Sequence, residues 1–210
     1  MEACGSANFW ARQLAEMGHE VRLIAPQYVR PFVKRQKNDA ADAEALVIAA
    51  RQPEMRYVEP KSREQQAQAV LFRSRERLVR QRTELVNALR ATLFEFGFTL
   101  PQGPAAMKRA KELLNDPTVD LSDLVVTECR DMLCQIAEKT DRINKRSKEI
   151  KQLAEQTEAL RRLTSMPGLG PITAFAIGAF APAMTEFRRG RDFAAWLGLV
   201  PRQNSTGGKA

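Results

Sequence analysis

The chain has 210 residues, of which 33 are basic and 25 acidic, so its formal net charge is +8 and its pI is near 9.8. This length allows one or two domains with hydrophobic cores, and the basic excess favours a polyanionic partner, nucleic acid before membrane. No apolar run reaches the length of a membrane span, and the first residues lack a signal-peptide pattern. These features favour a cytoplasmic protein with no membrane partner.

The first 60 residues indicate a partial α/β arrangement. Residues 1–18 have the periodicity of a helix that ends at Gly18, and residues 21–24 form a short apolar strand. Helix, turn and strand at this spacing are typical of one crossover in an α/β sheet. A single strand cannot form a sheet, so its partners are expected from another chain or from strands upstream of this sequence. The later segment EMRYVEP is either a connector or a short edge strand.

Two carboxylates stand at the start of the next helix-like run, residues 39–50. Asp39 and Asp42 occupy positions i and i+3, which share one face of a helix. Neighbouring carboxylates repel unless a cation lies between them, and a divalent metal fills that role in phosphoryl-transfer sites. The alternative is helix capping, with Asn38 or Asp39 as the N-cap and Asp42 or Glu44 in the first turn. On spacing alone capping is the more common situation, and both interpretations stay open.

Two long helices are predicted in the middle of the chain, over residues 62–96 and 122–163. Both carry apolar side chains at heptad spacing, namely Leu71, Leu78, Leu85, Leu89 and Phe96 in the first and Ile136, Ile143, Ile150, Leu153 and Leu160 in the second. The Pro/Gly-rich stretch between them is predicted to be a broken connection. The pair is therefore expected to form a long antiparallel coiled-coil hairpin.

The first of these helices has an excess of arginine. Residues 61–95 contain eight basic and four acidic side chains, and the arginines include Arg73, Arg77 and Arg80. Heptad leucines are usually core residues, but a solvated helix face ordinarily mixes charges more evenly, as the second helix does. The arginine row is therefore a candidate for binding the nucleic-acid backbone.

The C-terminal residues 163–210 are predicted to be helical around a Gly/Pro turn. The turn PGLGP followed by ITAFAIGAF fits a helix-hairpin-helix template, in which Gly168 and Gly170 let the backbone approach a phosphate. An ordinary turn between packed helices is the competing interpretation. Ser205 stands next to Thr206 in a Ser/Gly-rich segment and could act as a nucleophile, although such segments are usually simple tails.

Several stretches together resemble a known family. KNDAADAEA, RQRTELVNALRATLFEFG, MPGLGPITA and LGLVPRQNSTGGK occur in the order found in transposases of the insertion-sequence one-ten family, eleven-eleven subgroup. The resemblance covers essentially the whole chain. It implies a partial RuvC-like (RNase H-like) DEDD domain over residues 1–60, a coiled-coil region over 61–162 and a partial C-terminal transposase domain over 163–210.

The resemblance also implies a site and a reaction. The family's metal-binding acids fall on Glu2, Asp39 and Asp42, with Mg²⁺ as the cofactor, and its catalytic serine falls on Ser205, one position from Thr206. The implied activity is recombination of an insertion element with target DNA, guided by an element-encoded RNA and carried out by a dimer or tetramer. The family's first aspartate has no counterpart in this sequence, and family members continue past the last residue. An inactive fragment or decayed copy is therefore expected.

Two other functions stay open on the sequence. A non-catalytic nucleic-acid-binding or assembly module would use the helices and the turn and would keep the acids as helix caps. A Holliday-junction resolvase-like nuclease would use the metal site without the serine. In each case the expected fold is mainly α with a partial α/β segment at the N-terminus.

Overall fold

The computed structural model describes residues 1–34, 38–103 and 105–200. The chain separates into two units, one formed by residues 1–62 with those after 180, and the other by residues 63–180. Helices account for most of the regular secondary structure, which confirms the prediction of a mainly α-helical chain. No helix in this described part combines the length and the apolar character needed to cross a lipid bilayer.

The first 62 residues alternate short helices with two-residue strands. In chain order these elements are α1 (Ala7–Glu16), β1 (Leu23–Ile24), α2 (Pro26–Val29), a 3₁₀ turn (Arg30–Phe32), α3 (Asp39–Ala50) and β2 (Tyr57–Val58). β1 pairs antiparallel with β2, so that Leu23 lies opposite Val58 and Ile24 opposite Tyr57. The expectation that β1 has no partner within the chain is therefore wrong. Of the two interpretations of EMRYVEP, the short strand is the observed one.

The start of the chain also lies against β1. Glu2 forms a parallel bridge with Ile24, and the Ala3 N–H donates a hydrogen bond to the Ile24 carbonyl at 2.8 Å. The helix predicted over residues 1–18 consequently begins only at Ala7. Pairing with β1 satisfies backbone groups that a longer helix would otherwise have to satisfy.

Small side chains allow α3 to pack closely in this unit. Ala45 and Ala49 are fully buried and form one apolar cluster with Ile24 of β1 and Val29 of α2. They are spaced i and i+4, so a single face of α3 is buried. This contact determines where the first turn of α3 lies relative to β1.

The second unit contains α4 (Arg63–Glu95), α5 (Ala105–Asn115), α6 (Asp123–Gln156), α7 (Glu158–Thr164) and α8 (Pro171–Phe180). Leu93 near the end of α4 packs in the same cluster as Cys129 near the start of α6. Leu71 near the start of α4 packs with Ile150 near the end of α6. The two long helices therefore run antiparallel, with Arg75 Nε donating to Ser147 Oγ across them at 2.8 Å.

The structure corrects four details of the predicted hairpin. Leu153 of α6, which was predicted to lie in the apolar stripe, is 36% exposed. Phe96 follows the end of α4 and is 48% exposed. The buried position that was predicted for Phe96 is occupied by Leu93. The second helix is interrupted at Thr157, whose extended backbone separates α6 from α7. The connection that was predicted to be broken contains α5, which buries Ala106, Ala110, Leu113 and Leu114.

Close packing between α7 and α8 depends on a glycine. A Cβ atom added at Gly178 would lie 2.6 Å from Leu160 Cδ2, which is closer than any ordinary carbon contact. Leu160 is itself buried with Phe175 in the cluster that joins the two helices to α6. Gly178 therefore allows α8 to lie close to Leu160 of α7, and a larger residue would push the two helices apart.

After residue 180 come a second 3₁₀ turn (Met184–Glu186) and α9 (Gly190–Trp196). α9 ends at Trp196. Its end is set by Gly198 at φ +77°, with the Gly198 and Leu199 N–H groups donating to the carbonyls of Ala195 and Ala194. This is a Schellman motif, which stops a helix at a residue that tolerates positive φ.

Candidate metal and nucleic-acid site

The acidic start of α3 is capped by a neighbouring side chain. Asn38 is the N-cap, and its Oδ1 accepts a hydrogen bond from the Ala41 N–H at 2.8 Å. Asp39 is the first helical residue, and Asp42 also lies in the first turn. Of the two candidates for the N-cap, Asn38 is therefore the observed one. Both carboxylates still benefit from the positive end of the helix dipole.

Glu2 and Asp42 line one open pocket of about 640 Å³. Its other charged wall residues are Arg30 and Lys34, and its apolar wall consists of Val29, Val33, Ala43 and Leu46. Asp39 is exposed at the start of α3 and does not line this pocket. The structure thus brings together two of the three acids that the sequence singled out.

The pocket follows from the packing of the N-terminal unit. Glu2 is held there because its backbone is bridged to Ile24 of β1. Asp42 is held there because Ala45, one turn later, is buried against the cluster that contains the same Ile24. Two acids 40 positions apart in the sequence thereby reach one surface.

Arg30 and Lys34, the cations that line the pocket among the described residues, differ in their ion pairing. Lys34 Nζ contacts both carboxylate oxygens of Glu44, at 2.7 and 2.8 Å. The Arg30 guanidinium forms no ion pair within the described ranges 1–34, 38–103 and 105–200. Neither residue was assigned a role in the site from the sequence. The signal that was available is their position between the strand and the acidic helix, in a basic stretch.

The donor set of the pocket suits a hard divalent cation. Carboxylate oxygens are the preferred protein ligands of Mg²⁺, which commonly uses one or two of them together with phosphate oxygens from the substrate. Among the residues that the structure describes, no three His, Cys, Asp or Glu side chains are gathered closely enough to hold a metal by themselves. Glu2 and Asp42 therefore fit a cation that is completed by substrate oxygens.

The predicted arginine row lies on one exposed face of α4. Arg73, Arg77 and Arg80 follow the i, i+4, i+7 spacing and are all exposed. The Arg73 guanidinium lies 5.2 Å from the centre of the Phe180 ring, a cation–π contact. Arg77 and Arg80 have no ion pair with any residue in the described part of the chain. Both can therefore bind an anion without first breaking an internal contact.

The PGLGP turn separates α7 from α8. Gly168 has φ +87°, and a Cβ atom added at Gly168 or Gly170 would meet nothing within 4 Å. The turn backbone is therefore open to a ligand, although Pro171 at the start of α8 has no N–H to donate. Ser205 and Thr206 lie outside the described residues.

Two family models match the N-terminal and the C-terminal residues of the chain. A model of the DEDD transposase domain of the IS110 family matches residues 1–97, and the model described as "Transposase IS116/IS110/IS902 family" matches residues 160–210. The chain belongs to the IS110/IS116 family of insertion-sequence transposases. The acidic pocket lies in the part matched by the DEDD model, and Ser205 lies in the part matched by the second.

Named relatives agree with this assignment. The chain is 46% identical to a Pseudomonas aeruginosa protein named "Probable family 20 transposase", covering 100% of the chain and 62% of that protein. It is 39% identical to the transposase for insertion sequence element IS1328 of Yersinia enterocolitica, and the match covers 100% of the chain and 62% of that protein. It is 38% identical to the transposase for insertion sequence element IS1111A of Coxiella burnetii, and the match covers 100% of the chain and 58% of that protein. The chain thus spans less than two thirds of the length of these transposases.

Replacing Asn38, the N-cap of α3, tests how much the cap contributes to stability. We expect Asn38→Ala to lower the free energy of unfolding by about 1 kcal/mol, because the Ala41 N–H loses its acceptor. The measurement is urea denaturation followed by circular dichroism. Asn87→Ala, an exposed change inside α4, is the matched control and should be neutral or slightly stabilising. Equal losses in both variants would contradict the capping role.

Proposed function

We propose that this transposase chain takes part in cleaving and rejoining DNA strands at the ends of an insertion element. The observation that carries the proposal is the pocket that Glu2 and Asp42 share with Arg30, which has no ion pair among the residues that the structure describes. Carboxylates for a metal and a free guanidinium for a phosphate are the two requirements of a metal-assisted phosphoryl-transfer site. Family membership supplies the class of reaction.

The metal ligands proposed are Glu2, Asp42 and Asp39, and the cation proposed is Mg²⁺. When bound, it would supply Lewis-acid stabilisation of the charge on the scissile phosphate. Arg30 would hold a non-bridging oxygen of that phosphate, since this residue lines the same pocket and its guanidinium has no ion pair among the described residues. Lys34 would stay paired with Glu44.

Ser205 is the proposed nucleophile. Its Oγ would attack phosphorus and form a serine–phosphate ester, while the bond from phosphorus to one strand oxygen breaks and that strand leaves as a hydroxyl with the proton of the serine. Attack by a hydroxyl of the new strand on this ester would rejoin DNA and regenerate the serine. The ester conserves the energy of the phosphodiester bond, so rejoining needs no external energy source.

The rest of the chain is proposed to bind nucleic acid and to assemble the complex. Arg73, Arg77 and Arg80 would contact backbone phosphates of DNA or of an element-encoded guide RNA. The turn at Gly168 and Gly170 would act as a helix-hairpin-helix element. α4 and α6 would supercoil as a regular coiled coil within a dimer or tetramer. The relatives named above come from bacteria, whose DNA lies in the cytoplasm, and the cytoplasm is the proposed location of this chain.

A non-catalytic nucleic-acid-binding module is the second candidate. The observation in its favour is the helix cap at Asn38, because the acids of α3 then have a structural role without any metal. In that case the protein would bind DNA and RNA with an affinity that a divalent metal does not change.

Substitution of the proposed nucleophile separates these functions. The purified chain is incubated with element-end DNA, target DNA, element RNA and Mg²⁺, and covalent protein–DNA adducts and exchanged strands are resolved by denaturing electrophoresis. A chain that carries out the proposed reaction gives both products, loses both in Ser205→Ala and keeps both in Thr206→Ala. The absence of both products from the unaltered chain would agree with the inactive fragment expected from the sequence. Cleavage that survives Ser205→Ala would indicate a resolvase-like nuclease. Nucleic-acid binding without cleavage would favour the second candidate.

A further inference from the structure

Three aromatic rings form a cluster on and before α9. The Phe193 and Trp196 rings are stacked, with an interplanar angle of 10° and centroids 6.0 Å apart. Phe187 meets both edge-on, at 5.2 Å from Phe193 and 6.2 Å from Trp196. The two phenylalanines therefore support the indole ring and limit its rotation.

The outer ring of this cluster is open to solvent. Trp196 is 44% exposed, whereas Phe187 and Phe193 are half-buried beneath it. Indole is the largest aromatic surface available to a protein, and holding it rigid lowers the entropy lost when a flat ligand stacks on it. This arrangement is a candidate platform for a planar group.

Three arginines lie between the first ring of the cluster and the other two in the sequence. Arg188, Arg189 and Arg191 are all exposed, and none has an ion pair with a residue that the structure describes. The nearest acid in the sequence, Asp192, is engaged locally, because its carboxylate accepts the Arg189 backbone N–H at 3.1 Å. Arg189 is the N-cap of α9 and has an extended backbone, Arg191 lies in the first turn, and Arg188 directly follows Phe187. The three cations therefore lie at the start of the helix that carries Phe193 and Trp196.

We infer that this surface binds unpaired nucleotides, with a base stacked on Trp196 and the adjoining phosphates on Arg188, Arg189 and Arg191. A positively charged surface with a rigid, exposed aromatic ring is the usual design for single-stranded nucleic acid. Bases within a duplex have both faces covered by their neighbours, so they cannot stack on the ring. The inference rests on the proposed function only in taking its ligand from the nucleic acids that a transposase handles.

Tryptophan fluorescence offers a direct test, because the chain has only two tryptophans. In the full chain carrying Trp10→Phe, emission comes from Trp196 alone. Titration with 12-nucleotide oligo-dT and oligo-U in EDTA buffer should quench this emission, while a 12-base-pair duplex should not. The metal-free buffer keeps the result independent of strand exchange. Stronger quenching by one oligonucleotide would identify DNA or RNA as the preferred strand, and either result supports the platform.

Substitutions separate stacking from charge. Trp196→Ala is expected to weaken single-strand binding, measured by fluorescence anisotropy of labelled oligo-dT, roughly 5- to 100-fold. Trp196→Phe should restore most of that affinity, which excludes misfolding as the cause. Replacing all three arginines with alanine should reduce the slope of log K against log salt by about 2, since each phosphate contact contributes about 0.7.

The matched charge control is Lys108→Ala with Arg109→Ala, two exposed cations of α5 that already pair with Glu112. Their loss should leave the quenching amplitude of Trp196 unchanged. Absence of quenching by any single strand, or equal quenching by the duplex, would overturn the inference. So would a Trp196→Ala variant that binds oligo-dT normally but sediments as a smaller species, because the rings would then form a protein interface.

Discussion

If the acidic pocket holds a metal as proposed, Asp42→Asn is expected to reduce the affinity of the chain for Mn²⁺ at least about 10-fold and any strand cleavage that the chain supports at least about 100-fold. A metal contact at a scissile phosphate contributes several kcal/mol to transition-state stabilisation, and each 1.4 kcal/mol corresponds to a factor of about ten. Asp42 shares the pocket with Glu2, so Glu2→Gln should have an effect of similar size. Calorimetric titration with Mn²⁺ measures the first quantity, and gel-resolved cleavage in Mg²⁺ measures the second.

A matched control separates metal binding from helix capping. Asp123 also lies in the first turn of a long helix, α6, and does not line the acidic pocket. Asp123→Asn should cost the same few tenths of a kcal/mol in helix-dipole energy without changing Mn²⁺ affinity. If Asp42→Asn also lowers only the denaturation midpoint and leaves Mn²⁺ binding intact, the acids of α3 are structural and the second candidate function is favoured.

Phe175→Ala is expected to destabilise the helical unit by about 3–5 kcal/mol. Phe175 is fully buried, and it packs against Ile150 and Leu160, so truncation leaves a cavity that three helices cannot close without moving. This loss is a large share of the 5–15 kcal/mol that stabilises a typical domain. Urea denaturation followed at 222 nm provides the measurement.

Phe94→Ala is the control for that change, because it removes the same atoms from a side chain that is 65% exposed on α4. Its expected effect lies within about 0.5 kcal/mol of zero. Phe175→Leu should recover most of the lost stability, since it refills much of the volume. Similar midpoints for Phe94→Ala and Phe175→Ala would show that α8 does not contribute a packed core.

Much of the architecture could be predicted from local patterns. The heptad positions Leu78, Ile136, Ile143 and Ile150 are buried as expected, because a helical period places them on one face whatever packs against it. The start of α3 was also predictable, since an Asn/Asp pair before an alanine-rich run signals a helix N-terminus. The family motifs were also predictable from the sequence, because each is a run of consecutive residues.

Other elements depended on contacts that no local pattern contains. α5 was missed because prolines and glycines flank it, and its buried alanines and leucines become a core only when α4 and α6 lie alongside. The predicted N-terminal helix was too long because hydrogen bonds to Ile24 hold the first residues extended. Long-range pairing outweighed helix propensity at that end of the chain.

The candidate site was likewise predictable from the sequence only in part. Residue type and spacing selected Asp39 and Asp42 equally, because both occupy the first turn of one helix. Only the packing of Ala45 against Ile24, and the bridge from Ile24 to Glu2, placed Asp42 rather than Asp39 on the pocket wall. The same packing added Arg30, whose role depends on its neighbours in space. Periodicity is a property of consecutive residues, whereas the charge that one side chain experiences is determined by residues far away in the sequence.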